Sequence, residues 1–258
     1  MIPVALTIAG SDPSGGAGLQ ADLKTFHRFG VYGEAVVTLI TVQNTRGVTR
    51  VSTLDPELVA AQIRAVLEDI PPQAAKVGAL GSREIVEAVA REAGHFSFPL
   101  IVDPVMISKH GARLLDEAAS RALMEQLLPR TFLLTPNLDE AAALTGLVVE
   151  DRDGMARAAQ KLASFGAANV LIKGGHLSGD ALDLLYFNGG EIREFTAPRI
   201  ETRHTHGLGC TYSAAIAAEL AKGTRLVDAV ARAKLFITGA LRNAPGLGAG
   251  NGPLNHHA

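Results

Sequence analysis

The sequence predicts an α/β fold, a mostly parallel sheet covered by helices on both faces, and three observations carry that expectation. Short apolar runs of strand character alternate with amphipathic helical runs along almost the whole chain, as in repeated βα units. The 258 residues are 47% hydrophobic and 19% charged, which is enough apolar material for a sizeable core and too much for a disordered chain. No long linker, internal repeat or low-complexity tract breaks the alternation, so residues 1–258 are expected to form a single domain.

Residues 4–9 are a continuous apolar run, the pattern of a buried strand. Leu19, Leu23 and Phe26 then recur on one helical face, and the β-branched run 35–41 makes a second strand. Asp55-Pro56 joins a capping carboxylate to a first-position proline and opens a helix to residue 68. Residues 75–77 form a short strand, Ser82 caps a helix over 83–92, and strand 99–102 ends in Asp103-Pro104. A helix over 116–128, a strand over 132–134 and a short helix Leu138–Thr145 come next. Helix 153–165, strand 170–172, and the strand pair 182–187 and Ile192–Ala197 precede two closing helices, 212–222 and 226–243. In sheets of this kind ligands bind at the carboxyl ends of the strands, and the candidate motifs fall at those ends.

Composition excludes several classes of function. Twenty-four basic against 26 acidic residues give a net charge of −2 with no basic block, which argues against a nucleic-acid partner. No apolar stretch is long enough to span a bilayer, and the N-terminus lacks a basic signal-peptide start. A single cysteine rules out an intrachain disulfide and thiolate metal clusters, and fits a reducing compartment; a cytoplasmic location is expected. The eight histidines show no metal-ligand spacing. Two of them close the chain in Asn255-His256-His257-Ala258, too few to identify a tag.

The most informative stretch is Thr205-His206-Gly207-Leu208-Gly209-Cys210-Thr211, directly ahead of an alanine-rich helical run. Its glycines let successive N–H groups converge, and the positive end of a helix stands behind them, a place for a phosphoryl group or an oxyanion. Cys210 stands at the rim, either as a buried core thiol or close enough to touch a reacting hydroxyl. A Cys–His hydrolase built on His204 or His206 lacks a third orienting group and leaves the strand-end carboxylates idle.

Other strand ends carry their own candidates. Gly16-Ala17-Gly18-Leu19-Gln20-Ala21 matches the dinucleotide fingerprint only formally, because six residues separate Gly16 from the strand end at Ala9. No Gly-Lys pair exists, so there is no P-loop. Asn137-Leu138-Asp139-Glu140 reads either as a capping box or as a carboxylate that holds Mg²⁺ through water; Asp103 is a turn residue or a second such carboxylate. Lys173, followed by Gly174 and Gly175, reads as a surface charge or, at a strand end beside glycines, as a phosphate partner. Gln43, after the second strand, is either a solvated turn residue or a reader of a heteroaromatic edge, since its amide offers donors and an acceptor. Met106 to Lys109 supply an apolar wall and then a cation.

Taken together these segments resemble the hydroxymethylpyrimidine/phosphomethylpyrimidine kinases of the ribokinase-like superfamily. The ordered set is the first glycine loop, Val42-Gln43-Asn44-Thr45, Val102-Asp103-Pro104-Val105-Met106, Thr135-Pro136-Asn137-Leu138, Ile172-Lys173-Gly174-Gly175-His176 and the 207–210 turn, with a matching tail that makes the closing histidines native. The resemblance implies a three-layer α/β/α fold and ATP- and Mg²⁺-dependent phosphorylation of a hydroxymethylpyrimidine and then of its monophosphate. It implies catalytic roles for Cys210, Gly207, Gly209 and Lys173, and substrate contacts from Gly10, Asp22, Gln43, Met106 and Lys109. ATP contacts would come from Asn137, Lys173 and Thr211, metal contacts from Asp103 and Glu140, and the assembly would be a homodimer. The superfamily usually carries Asp where this chain has Cys210, whereas the pyrimidine branch carries Cys. Two departures stand out: Leu208 replaces the usual Thr between the glycines, and Ala79 stands where the family often has Met. Pyridoxal kinases are the nearest alternative within the superfamily. A non-catalytic pyrimidine sensor is the alternative from another class, against which the joint retention of Gly207, Gly209, Cys210, Glu140 and Lys173 argues.

Overall fold

Alternation of apolar side chains along each strand builds two cores, one on either face of a single nine-stranded sheet. The computed structural model describes residues 2–106, 115–175 and 179–258. Its elements run β1 (Val4–Ser11), α1 (Gly18–Arg28), β2 (Tyr32–Asn44), β3 (Gly47–Thr53), α2 (Pro56–Asp69), β4 (Ala74–Val77), α3 (Arg83–Ala93), β5 (Leu100–Val102) and α4 (Glu117–Ala122). They continue with β6 (Leu133–Leu134), α5 (Leu138–Thr145), α6 (Arg152–Ser164), β7 (Asn169–Gly174), β8 (Ala181–Phe187), β9 (Ile192–Ala197), α7 (Leu208–Ala221) and α8 (Leu226–Arg242).

The strand order is β3-β2-β1-β4-β5-β6-β7-β8-β9. From β2 to β7 neighbours are parallel, while β3, β8 and β9 join antiparallel. Leu6, Ile8, Val77, Val102, Leu134 and Ile172 face helices α2 to α6 and pack with Val59, Ile63, Ile85, Leu138 and Met155. Their sequence neighbours Ala5, Ile101, Leu133 and Leu171 face the opposite way, toward Phe26 of α1, Ile216 of α7 and Val230 of α8. The result is three layers. Each large side chain fully buried in them contributes about 1.5–3 kcal/mol of transfer free energy.

The chain leaves β1 toward β2 on one side and returns to β4 on the other, so the strand order reverses next to β1. A crevice opens at such a reversal, outside the carboxyl ends of the strands. Among the described residues no helix is long and apolar enough to cross a membrane.

Three local outcomes differ from the sequence expectation. β3 was not expected; it is an exposed antiparallel edge strand whose pattern Val48-Thr49-Arg50-Val51 carries no apolar run. The helix expected over 116–128 is α-helical only to Ala122, then widens into a π turn, Leu123–Leu127, and tightens into a 3-10 turn, Leu128–Arg130. α7 begins at Leu208 rather than 212, so Gly209 and Cys210 lie inside its first turn.

Candidate active site

Two glycine loops meet at the head of α7. Gly207 caps that helix with φ 78°, and a side chain there would bring its Cβ to 1.8 Å from the carbonyl oxygen of Gly16. Only glycine permits both the left-handed turn and the contact. Asp12 shapes the facing loop. Its Oδ1 accepts from the Ser14 N–H (2.9 Å) and hydroxyl (2.7 Å), and its Oδ2 accepts from the N–H groups of Gly16 (3.2 Å) and Ala17 (2.9 Å). The buried His206 ring adds Nε2 at 2.8 Å from the same Oδ2. Burial alone would raise the Asp12 carboxyl, but the His206 and Ser14 hydrogen bonds outweigh it and hold the group below the usual carboxylate range.

Gly207 leaves the first turn of α7 open. The Leu208 N–H donates to Thr205 O and the Thr211 N–H to Gly207 O. Between them, among the described residues, no acceptor reaches the N–H groups of Gly209 and Cys210. Beside this pair stands a cation. The Lys173 Nζ donates to Asp103 Oδ1 at 2.7 Å, and a Cβ on Gly209 would lie 3.2 Å from that Nζ and 3.3 Å from Asp103 Oδ2. A glycine at 209 therefore lets the ion pair approach the helix end.

Glu140 lies nearby on α5. The capping box is real: the Glu140 N–H donates to Asn137 Oδ1 and the Asn137 N–H donates to Glu140 Oε2, both at 2.8 Å. Burial first, and the negative Asp103 as well, push the Glu140 carboxyl up to about 7 despite the opposing charge of Lys173.

Cys210 keeps partial exposure toward the cavity, yet the protein packed around it pushes its thiol up to about 11. Burial is the main cause, the carboxylates of Asp22 and Asp103 add to it, and Lys76 and a hydrogen bond from the Gly18 N–H oppose it. The helix N-terminus, which by itself lowers a nearby thiol, is outweighed here. A helix end contributes up to about 2 kcal/mol, or about 1.5 pKa units at roughly 1.36 kcal/mol each; that does not offset the burial. Below the thiol lies a fully buried pair, Lys76 Nζ to Asp22 Oδ2 at 2.8 Å, with the Thr7 hydroxyl donating to the same oxygen at 2.6 Å. Gly78 leaves room for Nζ, which a Cβ there would approach to 2.8 Å.

These groups share one cavity of about 660 Å³ that follows the strand ends from β2 to β8. Gly10, Gln43 and Ala79 line its β2 side, and Gly207, Gly209, Cys210, Asp103 and Lys173 its middle. Asn137 and Glu140 border the same middle, and Ala181, Asp183, Ile237 and Leu241 line the β8 side. Most of the sequence candidates thus converge. Three do not. Asp22, expected at the substrate, is fully buried in its ion pair with Lys76 and is absent from the wall. Met106, also expected there, packs against the larger core while Val105 takes the wall position. Thr211, expected at ATP, is fully buried and hydrogen-bonds His256 Nε2 through Oγ1 at 3.1 Å. Lys109, with Ser108 and His176, lies outside the described residues.

Sequence reasoning left two groups without a role. One is Asp12 with His206, which are 194 residues apart in the chain. The other is Asp183, whose Oδ2 accepts from Lys234 Nζ (2.6 Å) and the Tyr212 hydroxyl (3.0 Å) and whose Oδ1 accepts from the Gly174 N–H (3.1 Å), tying β7 and β8 to α7 and α8.

A family model described as phosphomethylpyrimidine kinase matches residues 12–255. The chain belongs to the phosphomethylpyrimidine kinase family. A hydroxymethylpyrimidine/phosphomethylpyrimidine kinase of Rhizobium meliloti is 49% identical over 259 residues, covering 99% of this chain and 97% of that one. The thiamine biosynthesis bifunctional protein ThiED of Geobacter sulfurreducens is 49% identical over 97% of this chain, which spans only 51% of that longer protein. Among solved structures, the ADP complex of Bacillus subtilis pyridoxal kinase superposes with a TM-score of 0.92 at 39% identity, covering 100% of this chain and 98% of that one. The three-layer sheet is thus the ribokinase-like fold that the phosphomethylpyrimidine kinases share with pyridoxal kinases.

Proposed function

We infer that this protein uses ATP to phosphorylate the hydroxymethyl group of 4-amino-5-hydroxymethyl-2-methylpyrimidine, and then the resulting monophosphate to the diphosphate, in thiamine biosynthesis. Family membership supplies the reaction. The observation that carries its placement is the pair of open N–H groups at Gly209 and Cys210, beside Lys173 on a cavity whose β2 side holds Gln43.

Phosphoryl transfer asks mainly for positioning and charge stabilisation, because its transition state is loose and largely dissociative. The N–H groups at the head of α7 stabilise the transferring oxygens, and Lys173 offsets the polyphosphate charge, with Asn137 beside it. Gly10 and Gln43 seat the pyrimidine so that its hydroxymethyl oxygen faces that anion site. Cys210 meets this hydroxyl as a neutral thiol and is no base there, so the hydroxyl proton leaves late, with the transferred phosphoryl group or to solvent. Lys109 is assigned to the second step, where its positive charge would offset the repulsion between substrate phosphate and ATP.

Asp103 and Glu140 fit Mg²⁺. Burial is the main cause of the raised Glu140 carboxyl and the negative Asp103 adds to it, a repulsion that a cation relieves. Among the described residues no third ligating side chain joins them, which suits an ion that keeps several waters and takes phosphate oxygens. Mg²⁺ supplies charge neutralisation to the bound nucleotide. We further propose a single kinase domain acting as a cytoplasmic homodimer; the exposed side chains Ile40, Val42 and Leu58 offer apolar surface for a second copy.

The test is ATP turnover with the pyrimidine alcohol and with pyridoxal in parallel, with products weighed by mass spectrometry. Formation of the monophosphate followed by the diphosphate supports the reading. Turnover with pyridoxal alone assigns the protein to the pyridoxal branch, and no turnover with either supports a binding role.

A further inference from the structure

The phosphate end of the cavity is made of two parts from distant places in the chain. Lys173 stands near the end of β7, and the open N–H groups of Gly209 and Cys210 belong to the first turn of α7. Charge stabilisation at a transferring phosphoryl group requires such parts at a fixed separation. Asp183 lies directly opposite Lys173 in the β7–β8 ladder, so both side chains rise from the same face of the sheet, the face covered by α7 and α8.

The two Asp183 oxygens hold three different elements. Oδ1 accepts from the Gly174 N–H at 3.1 Å, immediately after Lys173 in β7. Oδ2 accepts from the Tyr212 hydroxyl of α7 at 3.0 Å, just beyond Cys210, and from Lys234 Nζ of α8 at 2.6 Å. All three side chains are buried. Apolar side chains of similar volume often stabilise a fold as well as a buried ion pair does. What the carboxylate adds is a set of hydrogen bonds with fixed directions.

We propose that Asp183 is a positioning residue that sets the spacing between Lys173 and the open N–H groups of α7, through Gly174 on one side and Tyr212 on the other, with Lys234 holding the carboxylate in place. The proposal rests on the reading that this end of the cavity seats the transferring phosphoryl group. The Tyr212 tie fixes α7 in rotation and depth. A displacement of the helix by about 1 Å would carry both N–H groups off the phosphoryl oxygens, and a misplacement of that size can cost about 100-fold in rate. The effect is confined to one end of the cavity, because Gly10 and Gln43 line the β2 side and Asp183 the β8 side.

The test separates geometry from stability. Tyr212→Phe removes one tie and leaves both charges in place. It is expected to fold, to lower kcat about tenfold and to raise the ATP KM, while the pyrimidine Kd, measured by calorimetry without nucleotide, stays at the native value. A triple variant, Asp183→Leu with Tyr212→Phe and Lys234→Met, replaces the whole group by apolar side chains and leaves no charge unpaired. Its melting temperature is expected within a few degrees of the native value while kcat falls about 100-fold. A stable triple variant with native kcat and ATP KM would overturn the proposal, as would an equal loss of pyrimidine affinity. If the triple variant fails to fold, Tyr212→Phe decides alone, and native kcat and ATP KM there overturn the proposal. A further measurement needs no turnover: the affinity for a non-hydrolysable ATP analogue is expected to fall about tenfold in Tyr212→Phe, and an unchanged affinity overturns the proposal. A native protein that binds the analogue but leaves the pyrimidine alcohol untouched would reject the functional reading, and the analogue affinities would still decide the role of Asp183.

Discussion

Cys210 shows how burial can reverse an inference drawn from local sequence. A thiol in the first turn of a helix is expected to ionise easily, yet here its surroundings hold it at about 11. At neutral pH the thiolate fraction is then about one part in 10⁴, and alkylation should be slow. The expected outcome is a rate of inactivation by iodoacetamide that climbs about tenfold per pH unit from 7 to 10 and is suppressed by bound substrate. A plateau near pH 8 would show an activated thiolate instead. Cys210→Ala should lower kcat toward the bottom of the roughly 10²- to 10⁴-fold range of general-base help, or below it, because the residue begins protonated. Cys210→Asp should keep more activity than Cys210→Ala, since a carboxylate is ionised throughout that range. Gly207 answers to sterics alone. With φ at 78° and a Cβ forced to 1.8 Å from Gly16 O, Gly207→Ala should destabilise the protein by about 3 kcal/mol or more and remove activity, measured by denaturant unfolding and turnover.

At the scale of elements, α5 separates two roles of one residue. Glu140 closes a capping box and also faces Asp103 across the phosphate end of the cavity. Glutamine can close the same box, so Glu140→Gln should keep the helix start intact and lose Mg²⁺-dependent turnover. Glu140→Ala should lose turnover and, in addition, about 1 kcal/mol of stability. Unchanged activity and Mg²⁺ dependence in Glu140→Gln would leave the residue as a cap only. Helix α5 was fully legible in the sequence because caps, apolar spacing and the closing Gly146 agree. The edge strand β3 was not, since an exposed strand needs no apolar run and takes its pairing from β2. The start of α7 was misjudged because glycines argue against helix, although here they are required by the contacts at Gly16 and Lys173. For the site, strand-end residues were legible and side-chain direction was not. Thr211 follows Cys210, but one helical step of about 100° carries it away from the cavity to His256. Asp22 of α1 met Lys76 of β4, and His206 met Asp12, pairings that no local pattern contains.

For the whole molecule, stability can be probed far from the chemistry through Glu34. It lies opposite Leu6 near the start of β2, at the other end of that strand from Gln43. Its Oε2 is buried without a hydrogen-bond partner, and burial, with the nearby charge of Asp69, pushes the carboxyl up to about 7 from 4.5. The sign follows from linkage. The folded state binds this proton more tightly than the unfolded state, so Glu34 favours folding least when it is forced to ionise. Its contribution is neutral below about pH 4.5, turns unfavourable as pH rises, and reaches its full penalty above about 7. Glu34→Gln keeps the shape and removes the charge. It should leave the melting temperature unchanged at pH 4.5, raise it at pH 8, and leave KM for both substrates untouched. A variant less stable than the native protein at pH 8 would mean that the carboxylate has a favourable partner in the folded state. The penalty assigned to its burial would then be wrong.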